Sequence, residues 1–415
     1  MRNKVQFVFA IALGMMVLGS ASAQKTYCAS SSCQINTKVY RDGKYWVEEL
    51  TGSITAGKGL RLESGLGAVV VRGGAGDDVT YTIKKKSSRP VEEAARRDFR
   101  IFPIAISRRT PEYVAIEGDW DGDHSGKLMV EYYINVPRNS QFVKINTMGG
   151  SVEIKSIAGK AYAETAGGSV TLDDIGESAM VSTLGGSISV GTVGGLAKLE
   201  TAGGSISIGS AGGQIIANTS GGSVQVGVGK KSISIETAGG GISVRQCDGE
   251  LKAITAGGSI EVEKASGSAW METAGGSIRV MEVRGPVVAN TEGGGIRLMR
   301  VNSGIRAETQ AGPIEVEIFA SRSEFTESKL YTSNGDITVI LPSDLPVTIA
   351  ATVEAANGHD IYTDFSGLNI TREGAQYGSR TVQADGRLNG GGPVLKLYTS
   401  NGNIRIRKSA AQGRR

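Results

Sequence analysis

The sequence predicts an all-β fold: a single-chain parallel β-solenoid, or β-helix, of about ten 18-residue coils flanked by less regular β caps. Three observations carry that expectation. Threonine recurs at Thr147, Thr165, Thr183, Thr201, Thr219, Thr237, Thr255, Thr273, Thr291 and Thr309, each 18 residues after the last. A fixed period of about 20 residues with no helical pattern inside it marks stacked coils. Five and seven residues after each threonine stands an aliphatic residue, as in Ile206 and Ile208, with a residue such as Ser207 between them. That alternation belongs to a strand with one buried face. Glycine supplies 60 of the 415 residues, about twice its usual share, and falls in pairs at one fixed phase, from Gly149 and Gly150 to Gly293 and Gly294.

Taken from the N-terminus, residues 1–23 read as a signal peptide. Arg2 and Lys4 give a positive start, Val5 to Gly19 an apolar run of 15 residues, and Ala21, Ser22 and Ala23 a small-residue cleavage site after Ala23. The apolar run is short for a membrane span, and no later stretch is apolar enough to make one. The expected destination is the periplasm, the cell surface or the extracellular space. Loss of Arg2 and Lys4 takes the formal charge from +4 to +2, so no field for nucleic acid or an anionic membrane is expected. Cys28 and Cys33 in YCASSSC are a disulfide candidate in an oxidising compartment. Residues 24–59 read as a partly irregular N-terminal segment.

Residues 60–146 read as an N-terminal β cap. LRLESGLGAVVVRGG, DDVTYTIKKK, YVAIEGD and KLMVEYYINVPRNSQFVKIN are strand-like, and a short helix is expected near 90–100, where Pro90, Glu92 and Glu93 lead and Arg96, Arg97 and Arg100 follow. A cap is needed because an open solenoid end exposes unpaired strand edges. The basic residues Lys84, Lys85, Lys86, Arg89, Arg96, Arg97, Arg100, Arg108 and Arg109 are diluted by Glu92, Glu93 and Asp98 and read as a solvated face.

Residues 147–320 form the regular array. A second strand precedes each threonine, as in Ala269-Trp270-Met271-Glu272-Thr273. The residue before the threonine runs Glu164, Ser182, Glu200, Asn218, Glu236, Ile254, Glu272, Asn290, Glu308, so glutamate stands in every second coil. Stacking in register explains this: adjacent carboxylates about 4.8 Å apart would repel by roughly 1 kcal/mol even in water. The glycine pair is expected to form a corner whose backbone angles a Cβ would obstruct. Cys247 falls in an inward column and reads as a buried thiol acting as a small hydrophobe. The threonine column is in phase with the buried positions, which favours a stacked structural threonine over an ice-binding surface.

Residues 321–408 read as irregular C-terminal β coils, with KLYTSNGDI at Lys329 returning as KLYTSNGNI at Lys396 and a loop from about 357 to 392; residues 409–415 read as a disordered tail. The segments LRLESGLGAVVVRGG, YYINVPRNSQFVKINTMGGSVEI, the TAGGS coils and TSNGDITVILP resemble the bacterial putative-adhesin family of β-strand repeats of unknown function, also called toastrack domains. The resemblance covers most of residues 60–408. It implies the fold, an envelope or surface location, and adhesion or envelope-stress sensing as roles, with no catalytic residue to carry over.

The functional expectation is a non-catalytic secreted cell-envelope β-solenoid, a binding or structural rod, with no cofactor. The alternatives are a polysaccharide-active β-helix enzyme and a stress-sensor module acting through a membrane partner. An enzyme would need converging acid and base groups, whereas the outward columns hold scattered Ser, Thr, Glu, Asn and Arg, and the two histidines, His124 and His359, lie outside the array. GDWDGDHSGK resembles a calcium loop but has His124 where glycine should stand; it and Gly73 to Asp78 read as polar turns. The candidate binding stripe is the column three before the threonine, with apolar members Tyr162, Met180, Ile216, Trp270 and Val288. Envelope polysaccharide or a surface protein is the expected partner.

Overall fold

The computed structural model describes residues 34–109, 112–120, 127–355, 358–374 and 380–409. Ala23, the Cys28 and Cys33 pair, His124 and the last six residues lie outside the described residues. The described chain contains 36 strands, numbered in chain order, and one helix, α1. The strands form two sheets of 18 strands each, and the protein is a β-solenoid.

Each array coil places one strand in each sheet. In sheet A, β15 (Ala197–Thr201) pairs in parallel with β17 (Ile215–Thr219), Ala197 opposite Ile215 and Thr201 opposite Thr219. In sheet B, β16 (Ile206–Ala211) pairs in parallel with β18 (Val224–Gly229), Ile206 opposite Val224 and Ile208 opposite Val226. The aliphatic columns are therefore continuous inward files, and one hydrophobic cluster extends from Leu50 to Ile406. The alternating glutamates of sheet A stack in the expected register, Glu200 opposite Asn218 and Asn218 opposite Glu236.

The buried threonines stitch one coil to the next. Thr201 Oγ1 donates to the Gly186 carbonyl at 2.8 Å and accepts from the Gly204 amide at 3.2 Å, and Thr219 and Thr273 repeat the donation to Gly204 and Gly258 at 2.8 Å. A polar hydroxyl is tolerated in the dry interior because it satisfies a corner carbonyl and an amide. The corner glycines differ from expectation in their cause. Among the array's corner glycines only Gly150 (φ +118°) and Gly312 (φ +151°) adopt left-handed angles; elsewhere the second glycine is required by closeness. A Cβ on Gly204 would lie 2.1 Å from the Gly186 carbonyl oxygen, whereas one on Gly203 would find its nearest neighbour at 3.6 Å.

Both ends close by turning antiparallel. At the N-terminal end, sheet B passes from β10 (Val152–Ile157) to β4 (Ala68–Gly74) and β8 (Leu128–Pro137), then antiparallel to β5 (Asp78–Ser87), β2 (Tyr45–Thr55) and β1 (Gln34–Asp42). Helix α1 (Glu92–Arg100) buries Ala95, Asp98 and Phe99 against this cap. The basic cluster is a solvated face only in part: Arg96, Arg97, Arg100, Arg108 and Arg109 are exposed, but Lys85 is not. Lys85 falls in the inward phase of β5, is fully buried, and bonds Glu48 at 2.8 Å and the Phe99 carbonyl at the end of α1 at 3.0 Å. Lys84, Lys86, Arg89, Arg96 and Arg109 form ion pairs with Glu49, Glu131, Asp98, Glu92 and Glu117.

At the C-terminal end the chain order breaks. The second copy of the Thr-Ser-Asn-Gly segment, β35 (Val394–Asn401), inserts between β29 (Ser328–Asn334) and β31 (Val347–Val353), pairing in parallel with both. Tyr331 and Tyr398 stack there with ring centroids 5.1 Å apart. The stretch expected as a loop from 357 to 392 instead holds β32 (Ile361–Thr363), β33 (Leu368–Gly374) and β34 (Arg380–Leu388); β34 pairs antiparallel with β31 and with β33.

Candidate binding face

The outer surface of sheet A carries the candidate stripe. From Phe142–Thr147 to Val287–Thr291 the strands of this sheet are five or six residues long, and each presents two outward side chains, three and one before its threonine. Register places Lys144, Tyr162, Met180, Lys198, Ile216, Ser234, Lys252, Trp270, Val288 and Arg306 in one file along the stack. Trp270 is 49% exposed, while Tyr162, Met180, Ile216 and Val288 are half-buried. The apolar members are islands rather than a continuous ribbon, because a cation interrupts them in every third coil: Lys144, Lys198, Lys252 and Arg306 stand 54 residues apart.

The parallel file holds the glutamates of every second coil. A two-coil rhythm of carboxylates beside a three-coil rhythm of cations makes their pairing unequal. Lys198 meets Glu200 at 3.2 Å, Lys252 reaches Glu236 at 2.6 Å, and Arg306 and Lys329 meet Glu308 at 3.2 and 3.0 Å. Burial opposes ionisation of Glu308, but the hydrogen bond and charge of Lys329, with Arg306 beside it, hold its carboxyl below the ordinary range. Within this file two carboxylates, Glu164 and Glu272, are exposed and have no cationic partner among the described residues.

Those two sit beside the two aromatic members of the stripe. Tyr162 and Glu164 share β11 (Lys160–Thr165), and Trp270 and Glu272 share β23 (Ala269–Thr273), each pair on one face. The next coil places Val288 against Trp270 and Asn290 against Glu272. The carboxamide oxygen of Asn290 is buried and has no hydrogen-bond partner. The candidate column thus held the aromatics, while Glu164, Glu272 and Asn290 escaped a reading made one column at a time. The clue was present in the two unequal rhythms.

Sheet B offers a second surface feature, a shallow furrow of about 380 Å³ lined by Arg279, Arg297, Glu315 and Arg405, beside one of about 280 Å³ lined by Tyr362, Arg405 and Arg407. Its charges are largely spent internally, Arg297 on Glu315 at 3.0 Å and Arg405 on Asp336. Elsewhere, Cys247 is buried as expected, its Sγ 3.4 Å from the Gly249 carbonyl, and burial pushes the thiol above its ordinary range. Among the described residues no three His, Cys, Asp or Glu side chains gather to hold a metal, and no helix is long and apolar enough to cross a membrane.

No protein-family model matches the chain, and no curated protein matches it. The chain is similar to two solved structures named for adhesion. One is a "putative cell adhesion protein" from Clostridium sporogenes, 10% identical, with 91% of this chain and 100% of that chain covered and a TM-score of 0.15. The other is a "putative adhesin" from Bacteroides fragilis, 8% identical, with 92% and 99% covered and a TM-score of 0.22. Both names coincide with the family that the sequence resembles. At these TM-scores no geometry transfers, and the site rests on this chain's own residues.

Proposed function

We propose that the protein is a non-catalytic, exported binding rod of the bacterial cell envelope, an adhesin-like solenoid that presents sheet A to an envelope or surface ligand. The observation that carries this reading is the half-exposed Trp270 on a strand paired on both sides, beside Glu272, which is exposed and has no counter-ion among the described residues. Large aromatic side chains held on rigid backbone supply much of the contact energy in recognition sites. A two-sheet stack whose buried files are nearly invariant also leaves its outward columns free to vary, so a ligand can be met at several places along one axis.

The test combines export with binding. The purified mature chain should begin at Gln24 by mass spectrometry and should bind its own envelope fraction saturably, releasing no soluble product. Failure to bind any envelope fraction would remove the rod reading, and turnover abolished by replacing one carboxylate would replace it with the enzyme reading.

A further inference from the structure

We infer that sheet A binds a linear, uncharged polysaccharide along the stack axis through two matched subsites, one at Tyr162 and Glu164 and one at Trp270 and Glu272. The inference deepens the binding-rod reading and rests on it. The two subsites have the same construction. In each, an aromatic ring and a carboxylate stand two residues apart on one strand, and the following coil adds an aliphatic residue and a small polar one: Met180 and Ser182 beyond the first, Val288 and Asn290 beyond the second.

The spacing follows from the two rhythms already described. Carboxylates in every second coil and cations in every third return to the same relation after six coils, or 108 residues, which is the separation of Tyr162 from Trp270. Six strand spacings put the subsites roughly 29 Å apart. Between them lie the Lys198–Glu200 and Lys252–Glu236 ion pairs, solvated and mutually neutralised.

The chemistry selects the ligand. An indole or phenol ring offers a flat apolar platform with a negative face, suited to the C–H side of a pyranose ring. A carboxylate without a counter-ion accepts hydrogen bonds from sugar hydroxyls. Exposed carboxylates repel uronate or sulfate groups, which disfavours an acidic polymer. The core of a protein interface is depleted of charge, whereas the intervening ion pairs break this surface into islands. A chain of sugar units touches one island, passes over the hydrated pairs and reaches the next.

Two linked contacts make binding depend on ligand length, because the second contact forms at a high effective concentration. The mature full chain is titrated, by calorimetry, with neutral β-glucan oligomers and N-acetylglucosamine oligomers of increasing length and with polygalacturonate. The expected result is binding of one neutral series that strengthens about a hundredfold once the oligomer spans both subsites. W270A should weaken the long oligomer about tenfold or more, Y162A by less, and the double variant should abolish the length dependence. M281A, on the outer face of sheet B, is the control and should bind as the parent does; unchanged thermal unfolding checks each fold. Polygalacturonate binding, or neutral-glycan binding unaffected by both aromatic replacements, overturns the inference. If the parent binds its envelope fraction but no glycan, the inference fails and the rod survives; if it binds neither, both fail.

Discussion

The ten-coil array and the N-terminal cap use the same two sheets and the same core, yet are held together differently. The array repeats uncharged devices: aliphatic files, a threonine that bonds the corner below, and glycines where backbones nearly touch. The cap relies on contacts that occur once, such as Lys85 buried between Glu48 and the end of α1, and Glu49 gathering Tyr40, Lys38 and Lys84. Repetition spreads stability over many equivalent interfaces. Unique buried charges concentrate it, and removal of one partner leaves the other stranded.

The largest expected contrast comes from deletions. Removing residues 201–236, two whole coils, should leave a folded and secreted protein, because the new neighbours meet in register. Removing only nine of those residues should abolish folding, since it would join a strand of one sheet to a strand of the other. Equal yields of both in a secretion assay would break the claim that coils are interchangeable.

Single cap changes should come next. Lys85→Ala leaves Glu48 without its buried counter-ion and the Phe99 carbonyl without its donor, and should cost about 3–5 kcal/mol in chemical denaturation. Within the array, Gly204→Ala should cost about 3 kcal/mol by overpacking against the Gly186 carbonyl. Gly203→Ala, whose Cβ would meet its neighbours at ordinary van der Waals distance, should be close to neutral in the same measurement.

The smallest effect is acid sensitivity. The hydrogen bond from Tyr40 and then the one from Lys38 hold the Glu49 carboxyl below its ordinary range, against the opposing cost of burial. The same contact pushes the Tyr40 phenol up to about 12. A depressed carboxyl contributes stability that is present above the ordinary range, about pH 4, and is lost as pH falls through the folded value. Hydrogen exchange should therefore show β1 and β2 loosening in acid before the array, whose threonine ladder carries no charge. Simultaneous loosening would contradict the division between the two regions.

The same division decides what could be read from sequence. Ten equivalent threonines reinforce one another, so the inward files, the buried Cys247 and the alternating glutamates were all legible. The cap offers one copy of each device. Lys85 carries the code of a solvent-facing residue, and only its phase on β5 beside Tyr81 and Ile83 places it inside. The two-residue turn between β1 and β2, Gly43–Lys44, opens on a glycine at φ +57° as tight hairpin turns do, yet TKVYRDGKYWVEE has too little alternation to announce strands. At the C-terminal end no local pattern shows that β35 slips beneath β31. Of the binding face, the aromatic column was visible, whereas the unpaired carboxylates emerge only when two columns with different rhythms are laid side by side.

Stacking of successive coils in register is the claim beneath all of this, and paired spin labels measure it directly. With Cys28, Cys33 and Cys247 replaced by alanine, labels would be placed at residues 144 and 252, 198 and 306, and 144 and 306. The first two pairs span six coils and should give the same distance, roughly 29 Å, and the third spans nine and should give roughly 43 Å. Unequal distances for the two six-coil pairs, or a nine-coil distance no longer than either, would contradict the solenoid.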